Sequence, residues 1–180
     1  DYLSVPSDGG ARFFPAQKEI YDSLSRPYFS YSAPTSMGKS FMMRAFIKQQ
    51  IVDGAKKNFA LLIPTKALIN EVTSELIESL TTLLKETDYR IVTSSGSMAL
   101  ETKHNYIFVL TPERMLYILI DDPDLKIDYL FVDEAHKISS GDKRSAFYYK
   151  VINKLEERHS NTHIIFASPN IPNPGVYLCL

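Results

Sequence analysis

Short runs with the composition of β-strands alternate along the chain with segments that have the apolar spacing of helices. This alternation constrains the fold more than any other feature. Two long segments, 39–53 and 66–84, place apolar residues at three- and four-residue spacing, which predicts amphipathic helices. The alternation predicts an α/β fold of three layers, in which helices cover both faces of a mainly parallel sheet. Runs rich in Val, Ile, Phe or Tyr predict strands near 28–33, 59–63, 89–93, 106–110, 127–132 and 163–167.

A loop reading APTSMGKS lies where the first predicted strand meets the helix predicted over 39–53. Such a loop can bind phosphate, because its backbone amides and the positive end of the helix point at one anionic group. Lys39 would reach the β and γ phosphates of a nucleotide, and the Ser40 hydroxyl would bind Mg²⁺. Ala33 replaces the first glycine of the usual pattern, so an ordinary strand-to-helix turn is the alternative. The residues expected to contact the nucleotide are Pro34, Thr35, Ser36, Met37, Gly38, Lys39 and Ser40.

Two adjacent carboxylates end the apolar run IDYLFVDE at 127–134. A buried parallel strand would deliver them to its carboxyl end, where open α/β sheets bind ligands. Asp133 would hold Mg²⁺ through water, and Glu134 would orient and deprotonate an attacking water. Taken alone, such a pair more often caps the next helix. Together with Lys39 and Ser40, the pair predicts a site for a nucleoside triphosphate and Mg²⁺.

These two elements, APTSMGKS and VDEAH, resemble the first motor domain of superfamily two helicases of the DEAD/DEAH-box type. Four further stretches stand in that family's order between Phe13 and about Asn170: FFPAQKEIY, IPTKALINEV, TPERM and FASPN. Six short motifs in one order are much harder to obtain by chance than any single motif. The resemblance implies a RecA-like P-loop fold and an ATP-dependent helicase that uses ATP and Mg²⁺ to move along or unwind DNA or RNA.

The resemblance also assigns roles outside these two elements. Gln17 matches a glutamine that reads adenine, which suits an amide that both donates and accepts; capping of a helix is the alternative. His136 matches a histidine that links the nucleotide to the motif around Ser168 and Asn170, and this motif would couple ATP hydrolysis to strand movement. A metal role for His136 is disfavoured, because the histidines at 104, 159 and 163 have no ligand spacing to it.

Two predicted strand ends carry residues that suit a nucleic-acid backbone. Pro64, Thr65 and Lys66 follow one strand and open a helix. Thr111, with Glu113 and Arg114, repeats the arrangement on a neighbouring strand end. Exposed amides and a hydroxyl at a helix N-terminus can bind phosphate without reading sequence. Simple N-capping by Thr65 is the alternative, and both roles can hold at once. We therefore predict a nucleic-acid track that is distinct from the nucleotide pocket.

Three features depart from the family's pattern. Ser36 stands where many members have glycine, and Pro169 with Asn170 replaces the usual Ala-Thr after Ser168. The third departure is that nothing after Asn170 supplies the second RecA-like domain, whose arginines complete the site in this family. We expect residues 1–180 to form a single helicase ATP-binding domain, with the proline-rich stretch 171–180 starting the linker to the second domain.

Two segments allow more than one interpretation. Residues 94–105 are either a loop near the nucleic-acid path, where Gly96 permits close backbone approach, or a plain surface connection. Residues 141–158 interleave charged and apolar side chains. That pattern favours a solvated amphipathic helix over a basic contact surface through Lys143 and Arg144.

Composition limits the other classes of function. The chain has 20 basic and 21 acidic side chains, so bulk charge does not indicate nucleic-acid binding, although a local patch would suffice. Cys179 is the sole cysteine and no apolar run reaches about 18 residues. We therefore expect an intracellular protein with no membrane partner, cytoplasmic or, in a eukaryote, nuclear.

Two other functions compete with the helicase interpretation. A P-loop kinase acting on a small molecule is the alternative enzyme, and it would leave the other motifs unused. A non-catalytic nucleic-acid module would not need Lys39 and Glu134 intact.

Overall fold

The computed structural model describes residues 2–6, 9–34, 38–96, 99–138, 143–158 and 161–169. Within these ranges the chain forms five α-helices, six β-strands and one 3₁₀ turn. In chain order they are α1 (Pro15–Ser23), β1 (Tyr28–Ser32), α2 (Lys39–Val52), β2 (Phe59–Leu62), α3 (Lys66–Glu86), β3 (Tyr89–Val92), β4 (Asn105–Leu110), α4 (Pro112–Asp121), β5 (Tyr129–Val132), the 3₁₀ turn (Ala135–Ile138), α5 (Ser145–Arg158) and β6 (His163–Ser168). Every predicted strand is therefore confirmed, as are the helices predicted after the phosphate loop and after β2.

The six strands form one sheet in the order β1-β6-β5-β2-β4-β3, and all neighbours are parallel. The last strand, β6, lies between β1 and β5, with Ile164 opposite Tyr28 on one side and His163 opposite Tyr129 on the other. Helices cover both faces of this sheet, since separate apolar clusters form on its two sides. The predicted three-layer α/β fold is confirmed.

Strand β2 shows why the strands read as continuous apolar runs. All four of its residues are buried. Phe59 and Leu61 join the core beneath α1, α2 and α3, whereas Ala60 and Leu62 join the core beneath α4 and α5. A strand covered on both faces must be apolar at every position, and alternate residues serve opposite faces. Among the described residues, no helix has the length and apolar character needed to cross a bilayer.

The strands all run in one direction, so their carboxyl ends meet at one edge of the sheet. The phosphate loop follows β1, the two carboxylates follow β5, and β6 ends between them at Ser168. Thr65 follows β2 and Thr111 follows β4, on the other side of β5. We call the ends of β1, β6 and β5 the nucleotide half of this edge, and the ends of β2 and β4 the groove half.

Candidate functional site

Gly38 ends the phosphate loop in a conformation that suits glycine. It is the N-cap of α2, and its φ of 71° and ψ of 43° are left-handed. A Cβ at this position would lie 3.4 Å from the side-chain nitrogen of Gln17 and 3.4 Å from Cβ of Phe41. Backbone and neighbours therefore both favour a residue without a side chain. Pro34 is partly buried; the predicted nucleotide contacts Thr35, Ser36 and Met37 lie outside the described residues.

Lys39, the first residue of α2, carries a buried ammonium. Its side chain is 6% exposed, its Nζ forms no hydrogen bond, and Oε1 of Glu134 lies 3.7 Å from that Nζ. A buried ammonium is costly unless anionic or polar groups complete its surroundings. The first turn of α2 holds no acidic side chain, so nothing there offsets the positive end of the helix. This helix end, with the partly buried Ser40 next in sequence, therefore fits a phosphate group.

Glu134 follows β5 with a left-handed backbone, the one non-glycine residue with positive φ in the described part of the chain. Its φ of 55° costs roughly 1–2 kcal/mol, and such strain concentrates at functional sites. Oδ1 of Asp133 accepts a hydrogen bond of 2.9 Å from the Glu134 backbone N–H. Oε2 of Glu134 lies 3.5 Å from Nε2 of His136, while Oε1 faces Lys39. One carboxylate is thus held between a cation and an imidazole.

Gln17 lies against the phosphate loop. Its side chain is buried, and its Oε1 accepts a 2.9 Å hydrogen bond from the Phe14 backbone N–H at the start of α1. The capping alternative is therefore observed. It does not conflict with the predicted role, because the same contact holds the amide next to Gly38.

Two buried hydroxyl groups lie on β1, which precedes the phosphate loop, and on β6, which lies between β1 and β5. The side-chain oxygens of Ser168 and Tyr31 form no hydrogen bond, and Ser168 is fully buried. Burial, and then the negative charge of Asp133, raises the pKa of Tyr31. The backbone carbonyl of Ser168 accepts a 3.1 Å hydrogen bond from Ala33, which ties β6 to the start of the phosphate loop. Asn170, predicted to act with Ser168, lies outside the described residues.

The groove half brings together all five residues predicted to bind nucleic acid. They line an open cavity of about 440 Å³ between the ends of β2 and β4. Thr65 and Lys66 are exposed there, whereas Pro64 and Thr111 are buried. Oγ1 of Thr65 accepts a 3.3 Å hydrogen bond from the Leu68 backbone N–H, so the capping alternative is observed as well. The complete lining is Pro64, Thr65, Lys66, Thr111, Glu113, Arg114 and Arg144.

Arginine side chains reach this groove from two directions. Arg114 donates to the Thr93 carbonyl over 3.2 Å. Arg144, placed only second as a contact residue by its sequence pattern, donates to the Pro64 carbonyl over 2.6 Å through one terminal nitrogen. Its Nε lies 3.2 Å from Oε1 of Glu113. In the sequence, the basic pair just before α5 indicated a candidate contact residue. No local pattern shows which residues this pair contacts in the fold.

Tyr148 lies one turn into α5. Its side chain is buried in the apolar core, and its hydroxyl forms no hydrogen bond. Burial raises the pKa of Tyr148 to about 12, with further contributions from the negative charges of Glu113 in the groove and Asp133 in the nucleotide half. Tyr148 belongs to the segment 141–158, for which the sequence pattern favours a solvated amphipathic helix.

The segment 94–105 stays undecided. Its first residues, Ser94 to Gly96, line a separate cavity of about 210 Å³ with Leu100 and Tyr117. Nothing lies within 4 Å of the position that a Cβ on Gly96 would take, so the described chain makes no close approach there. Among the described residues, no cluster of three or more His, Cys, Asp or Glu side chains could hold a metal ion.

Comparison with known proteins agrees with this geometry. The family model for the DEAD/DEAH box helicase matches residues 14–174. The probable ATP-dependent RNA helicase DDX52 of Mus musculus is 32% identical over 120 residues, which cover 59% of this chain and 19% of that protein. The ATP-dependent RNA helicase MAK5 of Candida glabrata is 27% identical over 147 residues, covering 72% of this chain and 20% of that protein. The chain thus spans about a fifth of the length of these curated relatives.

Solved structures share the fold. The helicase MrfA, bound to DNA and AMPPNP, superposes with a TM-score of 0.70 at 18% identity, over 92% of this chain and 25% of its own. Dbp5 of S. cerevisiae, bound to Nup159, Gle1, IP6 and ADP, superposes with a TM-score of 0.67 at 14% identity, over 88% of this chain and 43% of its own. At these identities the likeness concerns the RecA-like fold alone. The family model covers most of the sequence, and the chain therefore belongs to the DEAD/DEAH box helicase family.

Proposed function

We propose that this chain is the ATP-binding motor domain of an ATP-dependent nucleic-acid helicase or translocase. The observation that carries the proposal is the buried ammonium of Lys39, which forms no hydrogen bond and stands 3.7 Å from the Glu134 carboxylate. A cation held in this way at the N-terminus of a helix suits the phosphates of a nucleotide. Family membership and relatives named as ATP-dependent helicases support ATP as that nucleotide.

On this proposal each nucleotide contact has a distinct task. Gln17 would read adenine from its position beside Gly38, and the residues from Pro34 to Ser40 would surround the phosphates, with backbone N–H groups from the residues after Pro34. Lys39 would oppose the charge on the β and γ phosphates.

The chemistry of hydrolysis would fall to the residues after β5. Ser40 and Asp133 would hold Mg²⁺, because hydroxyl and carboxylate oxygens are the ligands that this ion prefers. When bound, Mg²⁺ supplies positive charge against the phosphate oxygens. Glu134 would accept the proton of the attacking water, while Lys39 and His136 keep its carboxylate in place.

Nucleic acid would bind along the groove half. The curated relatives are named as RNA helicases, whereas MrfA was solved with DNA. The contacts that we propose are to backbone phosphates, which RNA and DNA share. The residues making them would be Pro64, Thr65, Lys66, Thr111 and Arg114.

The rest of the motor would lie in a second RecA-like domain of the same chain. Residues 1–180 would form one domain, and 171–180 would lead toward the second, which would supply an arginine to the transferred phosphoryl group. Ser168, which ends β6 between the phosphate loop and β5, would act with Asn170 to couple hydrolysis to strand movement. We propose an intracellular location, in the cytoplasm or, in a eukaryote, the nucleus.

Stimulation of ATP hydrolysis by nucleic acid tests the proposal. We expect turnover by the complete protein to rise when single-stranded RNA or DNA is added. Residues 1–180 alone should hydrolyse ATP roughly 10³ to 10⁵ times more slowly, because the arginine is missing. Circular dichroism of this fragment controls for folding. Equal turnover by the fragment and the complete protein, with or without nucleic acid, would instead favour a self-sufficient P-loop enzyme acting on a small molecule.

A further inference from the structure

Arg144 makes two contacts across the groove with two different nitrogens. A terminal nitrogen donates to the Pro64 carbonyl over 2.6 Å, and Nε lies 3.2 Å from Oε1 of Glu113. A guanidinium has five N–H donors in a fixed fork, so it can release one partner and keep the other. The contact to Pro64 therefore holds Arg144 at the end of β2 whether or not Glu113 stays bound.

Glu113 occupies the kind of place that a phosphate group takes. Its carboxylate lies in the first turn of α4, at the positive end of that helix, and it pairs with a guanidinium. Helix N-termini and arginine forks are two common partners of phosphate groups. The rest of the groove lining consists of three basic side chains, two threonines and one proline, and the single acidic side chain of that lining competes with any phosphate that approaches Arg144.

Exposure argues that this ion pair is exchangeable. The side chain of Arg144 is 51% exposed and that of Glu113 is 30% exposed. Ion pairs in contact with water add little to stability, because the charges lose little by parting. Solvent, and hence a strand lying in the groove, can reach both partners.

We propose that Arg144 is a further contact to the nucleic-acid backbone, and that Glu113 holds it in the free protein. Strand binding exchanges the Glu113 carboxylate for a backbone phosphate on the Arg144 guanidinium. This inference rests on the proposed function, since it needs nucleic acid in the groove. It adds to that function an internal competitor, which lowers affinity for the strand.

Two substitutions test the exchange because they change binding in opposite directions. In the complete protein, Glu113→Gln should raise the affinity for a fluorescein-labelled oligouridine strand by about threefold or more at low salt, because the competitor is removed. Arg144→Gln should weaken binding and reduce the slope of log K against log salt by about one, since one phosphate contact is lost. Fluorescence anisotropy over a series of salt concentrations measures both quantities.

The pair between Arg44 and Glu75 provides a matched control. It too joins an arginine to a glutamate on a different helix, but it lines a different cavity with Phe41 and Lys48. Glu75→Gln makes the same change in net charge and should leave strand affinity close to that of the wild-type protein. If Glu75→Gln raised strand affinity as much as Glu113→Gln, the effect would be one of net charge alone, and the proposal would be overturned.

Other outcomes separate this inference from the proposed function. One contrary outcome is that the wild-type protein binds the strand and Lys66→Ala weakens that binding, while Glu113→Gln leaves strand affinity unchanged or lowers it. In that case the ion pair of Arg144 and Glu113 has only a structural role. An unchanged salt slope for Arg144→Gln would also overturn the proposal. If Arg144→Gln unfolds, two other variants decide the question: Glu113→Gln and the charge-conserving Arg144→Lys. Arg144→Lys should keep the wild-type slope of log K against log salt. A wild-type protein that binds no strand contradicts the proposed function itself.

Discussion

The two halves of the sheet edge use polar side chains in different ways. In the nucleotide half Lys39 is 6% exposed, Gln17 is 7% exposed and Ser168 is fully buried, while Glu134 is 22% exposed. In the groove half Thr111 is buried, but Thr65 and Lys66 are exposed and Arg144 is half exposed. Stabilising the charge that develops in a reaction requires preorganised groups away from water, whereas holding a strand of any sequence requires accessible donors.

Backbone conformation divides in the same way. The nucleotide half contains two left-handed residues, Gly38 and Glu134. In the groove half, Thr65 and Thr111 precede their helices with ordinary extended geometry. Left-handed backbone conformations thus occur where one carboxylate and one loop need a fixed position. Binding to a strand backbone tolerates relaxed geometry. Substitutions in one half should therefore leave ligand binding by the other half intact.

The largest expected effect is on chemistry in the nucleotide half. Glu134→Gln should lower the rate of ATP turnover by about 10² to 10⁴, because an amide cannot accept the proton of the attacking water. ATP affinity should be retained, because the amide keeps the shape of the side chain. Steady-state kinetics and calorimetry of the complete protein measure the two quantities. Turnover within about twofold of wild type would remove Glu134 from the role of base.

The next effect concerns nucleotide affinity. Lys39→Ala should weaken binding of Mg-ATP by about 10- to 100-fold, as expected for loss of charge-assisted hydrogen bonds to phosphate. Lys66→Ala removes the same charge from the groove half and should leave ATP affinity unchanged. Isothermal titration calorimetry compares the two variants. Equal losses in both would show that general charge, and not the phosphate loop, attracts the nucleotide.

A smaller effect is expected for the strand. Lys66→Ala should reduce the salt slope of nucleic-acid binding by about one and weaken binding to all sequences alike. Lys39→Ala, measured without nucleotide, should keep the wild-type slope. Filter binding with several strands of different sequence gives both results. A loss confined to one sequence would mean that Lys66 reads bases, which contradicts a backbone track.

The smallest effect concerns the border between the halves. Ser168→Ala removes a buried hydroxyl that forms no hydrogen bond in the structure. The free energy of unfolding should therefore stay constant or rise by up to about 1 kcal/mol. If Ser168 couples the halves, stimulation of ATPase by nucleic acid should nevertheless fall. Urea unfolding together with stimulated turnover separates the two readouts, and unchanged stimulation would remove Ser168 from coupling.

Local patterns were sufficient to predict the sheet but not how side chains meet across it. The runs of Val, Ile, Phe and Tyr mark every strand, because strands covered on both faces must be apolar throughout. The start of β5 was placed near residue 127, yet the strand begins at Tyr129. Side chains decide this boundary: Asp128 accepts from the Asn58 backbone over 2.8 Å, and the Asn58 amide donates to Lys126 over 2.8 Å.

Most of the candidate site was also predictable, because the carboxyl ends of parallel strands must meet at one edge. The five residues of the predicted track line one cavity for this reason. The place of Arg144 was not predictable in the same way. Its partner Pro64 lies 80 residues earlier, and no local pattern encodes that contact. The left-handed backbone of Glu134 is likewise set by its surroundings, since glutamate has no preference for it.

The position of β6 has a consequence for how the protein is made. Synthesis runs from the N-terminus, so β6 leaves the ribosome after the other five strands of this sheet, and it must insert between β1 and β5. Pairing of Tyr28 with Ile164 closes a long stretch of chain, and such distant contacts form slowly. The pairs that β2 forms with β4 and β5 do not involve β6, so they can form before that step. We therefore expect a nascent chain to assemble the ends of β2 and β4 first, and to gain the ability to bind nucleotide only after β6 has emerged.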